Sequence, residues 1–118
     1  STISSFRDLA VWQEAHQLVL MVYKATAVFP NSEQFGLTSQ MRRAAVSVPA
    51  NIVEGLNGVL AGKVRFYNIA EASLEELKYY LILASDLTYI AEVKPLETQA
   101  ESVGRLLFRF SEGAKEKR

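Results

Sequence analysis

The stretch Gln40-Met41-Arg42-Arg43-Ala44-Ala45-Val46-Ser47-Val48-Pro49-Ala50-Asn51-Ile52-Val53-Glu54-Gly55 decides the fold. Leu37 just ahead of it and then Met41, Ala44, Ala45, Val48 and Ile52 recur at three- and four-residue spacing, the period of one helix face. That row is a core stripe. A second apolar flank of Val46, Pro49, Ala50 and Val53 runs beside it, and the side left over is a polar stripe of Gln40, Arg43, Ser47, Asn51 and Glu54. Pro49 removes a backbone donor and crowds the carbonyl of Ala45, so a kink or a local break is expected, with Ser47 or Asn51 satisfying the freed groups.

Outward from this segment, helical spacing continues in both directions between glycines and prolines. A first helix is predicted from about Asp8, an N-cap residue type, to about Val28, ending before Phe29-Pro30-Asn31-Ser32. The second runs from between Phe35 and Thr38 to Gly55 or Gly58. A third follows Gly62 and reaches Ile90, and a fourth follows Pro95 and reaches Gly113, leaving Lys115 to Arg118 as a charged, frayed tail. Connections this short favour antiparallel neighbours. The prediction is an all-α, antiparallel, up-down-up-down four-helix bundle, one domain over residues 1–118, with a proline kink in its second helix.

The 118 residues are 49% hydrophobic and 22% charged, with 13 basic side chains, 13 acidic ones and no cysteine. This composition fits one globular domain large enough to bury a core unaided. Disulfides, a thiol nucleophile, thiolate zinc sites and cysteine-ligated clusters are excluded together. The longest apolar run, Leu18 to Tyr23, is far below the ~20 residues of a membrane span, and Ser1 to Arg7 holds no signal-like apolar region. A cytoplasmic location without a membrane partner is the expectation. A net charge of zero argues against a strongly basic nucleic-acid binder.

Face by face, the helices are unequal. On the third, Phe66, Ile69, Ala70, Ser73, Leu77, Tyr80, Leu81, Ala84, Leu87 and Ala91 form one side, opposite Asn68, Glu71, Glu75, Lys78 and Asp86. The fourth turns Leu96, Ala100, Val103, Leu106, Leu107 and Phe110 inward and places Glu101, Arg105, Arg109 and Glu112 on a solvated ion-pair face. The first carries two seams, Leu9, Trp12, His16, Val19, Tyr23 and Val11, Ala15, Leu18, Val22, Ala25, Phe29, with Leu20 and Met21 apolar beyond both. One core needs a single stripe of roughly 100° or somewhat more, so the surplus on the first two helices points to a subunit interface. Leu20, Met21, Val46 and Val53 are the interface candidates.

Enzymatic chemistry finds little support. A di-iron carboxylate bundle needs two Glu-x-x-His motifs, whereas His16 is the single histidine and Gln13 stands three before it. A triad of Ser47, His16 and Glu54 lacks a nucleophile elbow, and His16 reads as a partly buried, satisfied imidazole on an apolar seam. Gly55, Gly58 and Gly62 are too widely spaced for a phosphate loop and read as a helix stop and a flexible connection. No cofactor and no metal are expected. The stripe of Arg43, Ser47, Asn51 and Glu54 is read as a structural network facing Ser73 and Glu76, in which Arg43 pairs with Glu76 or Glu54 in a buried charge pair.

From Gln40 to Gly55 the chain resembles the small bundle proteins encoded in intervening sequences of bacterial large-subunit ribosomal RNA genes. The resemblance takes in Phe6-Arg7-Asp8-Leu9-Ala10-Val11-Trp12, then Phe29-Pro30 with Glu33 and Phe35-Gly36-Leu37, then Ile69-Ala70-Glu71-Ala72-Ser73-Leu74-Glu75-Glu76-Leu77. It also covers Leu83-Ala84-Ser85-Asp86-Leu87-Thr88-Tyr89-Ile90, where Thr88 stands at a place that calls for glycine. The resemblance implies an antiparallel four-helix bundle assembled into a ring, typically a pentamer. It implies as well a kinship with the basic accessory proteins of diversity-generating retroelements, which bind nucleic acid; this chain departs from them in being neutral.

The resulting expectation is a non-enzymatic, ring-forming helical-bundle protein, an oligomeric binding or scaffolding module and a homo-oligomer with a pentamer favoured. The alternative is a weak RNA- or DNA-binding accessory protein using Arg42, Lys63, Arg65, Lys115, Lys117 and Arg118 repeated around the ring, although solvated charges explain the same residues more simply.

Overall fold

Ser5 opens the described part of the chain, residues 5–116 of a computed structural model. Its side chain accepts a hydrogen bond from the Arg7 amide at 3.1 Å and starts a 3-10 turn over Phe6–Asp8. Asp8 therefore lies inside this turn and is not the N-cap of the first helix. Helix α1 spans Ala10–Thr26 and begins behind Leu9 without a side-chain cap. It ends two residues short of Val28, where Thr26 Oγ1 turns back to the carbonyl of Val22 at 2.8 Å.

A second 3-10 turn, Asn31–Glu33, leads to α2, Leu37–Leu56. Glu33 accepts the otherwise unpaired amide of Leu37 at 3.1 Å, which caps α2 from four residues away. Helix α2 is continuous across Pro49, without the local break that was one expectation. Asn51 Nδ2 donates to the Ser47 carbonyl at 2.8 Å and to Ser47 Oγ at 3.0 Å, which adds polar partners in the turn around the proline. Only Asn57 to Val59 separate α2 from α3, Leu60–Asp86. Gly62 is thus inside α3 and not in a flexible connection. The fourth helix, α4, spans Lys94–Glu116 and carries Pro95 in its first turn, where a missing amide costs nothing.

Helix α3 stops at Asp86, well before Ile90, and its end explains the glycine pattern. Tyr89 N–H donates to the Ala84 carbonyl at 2.9 Å and Thr88 N–H to the Ser85 carbonyl at 3.0 Å, the paired bonds of a Schellman cap. Such a cap needs a left-handed residue at its centre, and Thr88 adopts φ 63°. Thr88 therefore sits where glycine belongs, with the Cβ penalty that glycine avoids.

The helices pack in sequence order, α1 against α2, α2 against α3 and α3 against α4, with α4 closing back on α1, in a body of 46 × 23 × 20 Å. Phe29 after α1 meets Tyr89 after α3 with ring centroids 5.3 Å apart, so those two helix ends share one end of the bundle. At the other end Phe6, Leu56, Lys63 and Phe110 surround one cleft. The chain runs back and forth along the long axis, and among the described residues there is no strand.

All six residues of the predicted α2 core stripe are buried. In α3 the buried row is Tyr67, Ala70, Leu74, Leu77, Leu81 and Ala84, rotated from the expected one. Phe66, Ile69, Ser73 and Tyr80 fall on its half-buried flank, Leu87 is exposed, and Ala91 lies beyond the helix. The position of the neighbouring helices, not the widest apolar arc, sets the centre of a buried face. From α4 come Leu96, Ala100, Val103 and Leu107, while Leu106 and Phe110 are only partly covered. Each fully buried Leu, Ile or Val contributes about 1.5–3 kcal/mol relative to an exposed one.

Candidate functional site

The expected surplus on α1 and α2 has a definite shape. Phe6, Trp12, His16, Val19, Val46, Pro49, Ala50 and Val53 line an apolar groove of about 290 Å³ between the two helices. Trp12 is its floor. The Phe6 ring meets it edge-on at 5.0 Å, the Arg7 guanidinium lies over it at 5.9 Å, and the His16 imidazole stacks on it at 5.0 Å with only 7° between the planes. His16 is exposed, not half-buried in a core seam, and stacking is the contact that holds it. Leu20 at 50% and Val46 at 41% are exposed beside the groove, while Met21 and Val53 are partly covered. Leu20 and Val46 are the more open of the four interface candidates.

Along the polar stripe, the geometry joins some residues and separates others. Ser47 and Ser73 share a 2.8 Å hydrogen bond between α2 and α3, and Asn51 donates to Ser47. These three are partly buried. Arg43, Glu54 and Glu76 are exposed, and among the described residues no ion pair joins Arg43 to either carboxylate. Glu76 instead accepts from Tyr80 Oη at 2.6 Å, one turn along its own helix, and holds that phenol above its ordinary pKa. The expected buried charge pair is therefore corrected to a small hydroxyl–amide contact. Side chains at Arg43 and Glu54 project from the outer side of α2, where water solvates a charge better than a partner can.

The cationic candidates are largely engaged within the fold. Arg42 Nε donates to Thr26 Oγ1 at 2.8 Å and Nη2 to the Tyr23 carbonyl at 3.4 Å, with the guanidinium 4.6 Å over the Tyr23 ring. A cation at the C-terminal end of α1 is favoured by the unpaired carbonyls there. Lys63 does the same for α2, donating to the carbonyls of Gly55 at 3.2 Å and Leu56 at 3.0 Å. Arg65 lies 5.6 Å over the Phe66 ring, and Lys115 pairs with Glu112 at 3.1 Å. Lys117 and Arg118 lie outside the described residues. Two of the six candidates thus serve as helix caps, a role that sequence spacing alone conceals.

Ser47 and His16 lie on different faces, since one bonds α3 and the other stacks in the α1–α2 groove, so no triad forms. Among the described residues no cluster of three His, Asp or Glu side chains could hold a metal, and no helix is long and apolar enough to cross a membrane. A cleft of about 980 Å³ at the α2–α3 connection is lined mainly by apolar groups including Leu9, Leu56, Tyr67 and Phe110. Burial raises the Tyr67 phenol above its ordinary pKa, and the Lys63 amine at its rim is the one that caps α2.

Three contacts of consequence escaped the sequence reading. Glu33 caps α2 with one carboxylate oxygen and accepts from Tyr89 Oη with the other at 2.9 Å, tying the two loops together. Gln99 reaches from α4 to the Glu14 carbonyl at 2.9 Å. Tyr79, Ile82 and Phe108 are exposed on α3 and α4, which the amphipathic pattern had given as ordinary helices. Only the position of Glu33 ahead of a helix start carried a usable signal.

The family model described as 23S rRNA-intervening sequence protein matches residues 7–109, which includes all of the α1–α2 groove except Phe6, the Ser47–Ser73 contact and the Thr88 cap. The chain belongs to that family. Among solved structures it is similar to a protein of unknown function from the S23 ribosomal protein family of Bacteroides thetaiotaomicron, with a TM-score of 0.80 and 20% identity over 90% of this chain and 98% of that one. At that identity the likeness establishes the fold. No protein of curated function matches the chain. The capping residues Glu33, Arg42 and Lys63 of this chain all lie inside the matched region.

Proposed function

We propose that this protein is a non-enzymatic assembly module, a helical bundle that forms a ring, with a pentamer favoured by its family likeness, and that acts in the cytoplasm by binding or scaffolding without metal or cofactor. The observation that carries the reading is the apolar groove lined by Trp12, Val19, Pro49 and exposed Val46, with exposed Leu20 following Val19 on α1, a surface that a lone subunit leaves in water. Sedimentation velocity at micromolar concentration tests it. A species several times the 13.2 kDa subunit mass is expected, and Leu20→Glu should dissociate it with helicity kept. A monomer at every concentration overturns the reading.

A nucleic-acid role draws on the cations left after capping, chiefly Arg65 and the tail. Binding of that kind weakens with log salt by about 0.7–0.9 units per phosphate neutralised, so a salt titration with RNA and duplex DNA separates it from assembly alone.

A further inference from the structure

Val28, Phe35, Val59 and Leu87 are exposed outside the helices and Phe108 on α4, while the other exposed large apolar side chains form two patches that share no helix. One is the α1–α2 face just described. The other is a ridge along α3, Glu75, Tyr79, Ile82 and Asp86 at four-, three- and four-residue spacing, with Tyr79 57% and Ile82 51% exposed. The two patches also differ in charge. Beside Leu20, Tyr23 and Val46 stand Lys24, Arg42 and Arg43, and among the described residues no carboxylate pairs with any of them. On these two helices Glu14 is turned to α4, where Gln99 donates to it, and exposed Glu54 stands beside Val53 and Ala50 at the end of the groove away from Arg42 and Arg43, so the cationic side is the end at Leu20, Tyr23 and Val46. Around Tyr79 and Ile82 the balance is reversed. Glu75, Glu76 and Asp86 come from α3, and Glu97 and Glu101 share a groove with Ile82, against Lys78 and Lys94. Lys78 is already tied to Glu75 at 2.9 Å and Glu101 at 3.6 Å.

We propose that the α1–α2 face of one copy receives the Glu75–Tyr79–Ile82–Asp86 ridge of a second copy, a head-to-tail contact between two different patches of the same chain. The proposal rests on the assembly reading and adds the partner surface to it. Apolar side chains meet in the middle and the acidic ridge ends meet the cationic side of the groove, which favours this pairing over groove against groove, where cations would face cations. A contact of this type leaves the pair with one free groove and one free ridge, so it propagates and closes when the rotation permits, whereas a two-fold contact stops at a dimer.

Complementation of two single variants tests this. Val46→Glu disables the groove and Ile82→Glu disables the ridge; both positions are exposed on helices, and circular dichroism verifies that each variant keeps the parent helicity. Ala50→Glu replaces Val46→Glu if the latter does not fold. Each variant alone is expected to sediment as a monomer. Mixed in equal amounts they should form a dimer and nothing larger, because one intact groove and one intact ridge remain in the pair. An Ile82→Glu variant that assembles like the parent overturns the ridge as partner and leaves the assembly reading standing, as does a mixture with no dimer. A monomeric parent overturns both.

Discussion

The Tyr67 ring occupies the space that a side chain at Gly55 would need: a Cβ at Gly55 would overlap Cε1 and lie 2.8 Å from Cζ. Gly55 is in the last turn of α2 and Tyr67 is in the core row of α3, so this contact sets how closely the two helices approach beyond their connection. Gly55→Ala should destabilise the protein by about 1–3 kcal/mol through overpacking, outweighing the roughly 1 kcal/mol that alanine gains in helix propensity. Urea denaturation checks it, and in a Tyr67→Leu background the penalty should shrink. An unchanged midpoint for Gly55→Ala would show that the ring is free to move.

Thr88→Gly should stabilise the protein by about 1 kcal/mol, because glycine adopts φ 63° without the 1–2 kcal/mol that a left-handed L-residue costs. Thr88→Val, equally branched and without the hydroxyl that donates to the Leu87 carbonyl at 2.6 Å, should be no more stable than the parent. Thermal melts of the three proteins rank them. A melting point for Thr88→Gly below that of the parent would contradict the cap.

Neighbouring arginines should behave oppositely. Arg42→Ala removes a charge-assisted bond to Thr26 and the cation at the end of α1, and should cost about 1.5 kcal/mol. Arg43→Ala should stay within about 0.5 kcal/mol of the parent, as exposed substitutions do, far below the ~3–5 kcal/mol of a broken buried pair. Both values come from denaturant titration of the dissociated Leu20→Glu protein, so that assembly does not mix with folding.

Alkaline pH should weaken the fold. The Tyr89 phenol is held above its ordinary value near 10 by its hydrogen bond to Glu33, then by burial and by the Glu33 charge. A folded pKa raised above the unfolded one means that the contribution is fully present below about pH 10 and is lost as pH rises through the folded value. Tyr80, bonded to Glu76, and Tyr67, raised by burial, act in the same direction. Denaturation midpoints should therefore fall above about pH 10, and Tyr89→Phe should be less stable than the parent at pH 8 yet lose less on going alkaline. Parallel curves for the two proteins would assign the alkaline loss to the other tyrosines.

The sequence by itself determined the class of fold, the number of helices and the α2 core, because a helix that must bury one face writes its period into Leu37, Met41, Ala44, Ala45, Val48 and Ile52 whatever it packs against. It also marked Thr88, since a left-handed cap is a local backbone requirement. What lay between helices was not legible. Which of the overlapping apolar rows of α3 became the core depended on where α2 and α4 sit, and so Tyr67 and Leu74 displaced Phe66 and Ser73 from its centre. Arg42 and Arg43 are adjacent in the chain and alike in chemistry, yet one helical step of about 100° turns the first onto the end of α1 and the second into water. Only tertiary structure decided that difference, because the carbonyls and hydroxyl that hold Arg42 belong to a helix sixteen or more residues away, and no spacing rule within one helix carries the position of another.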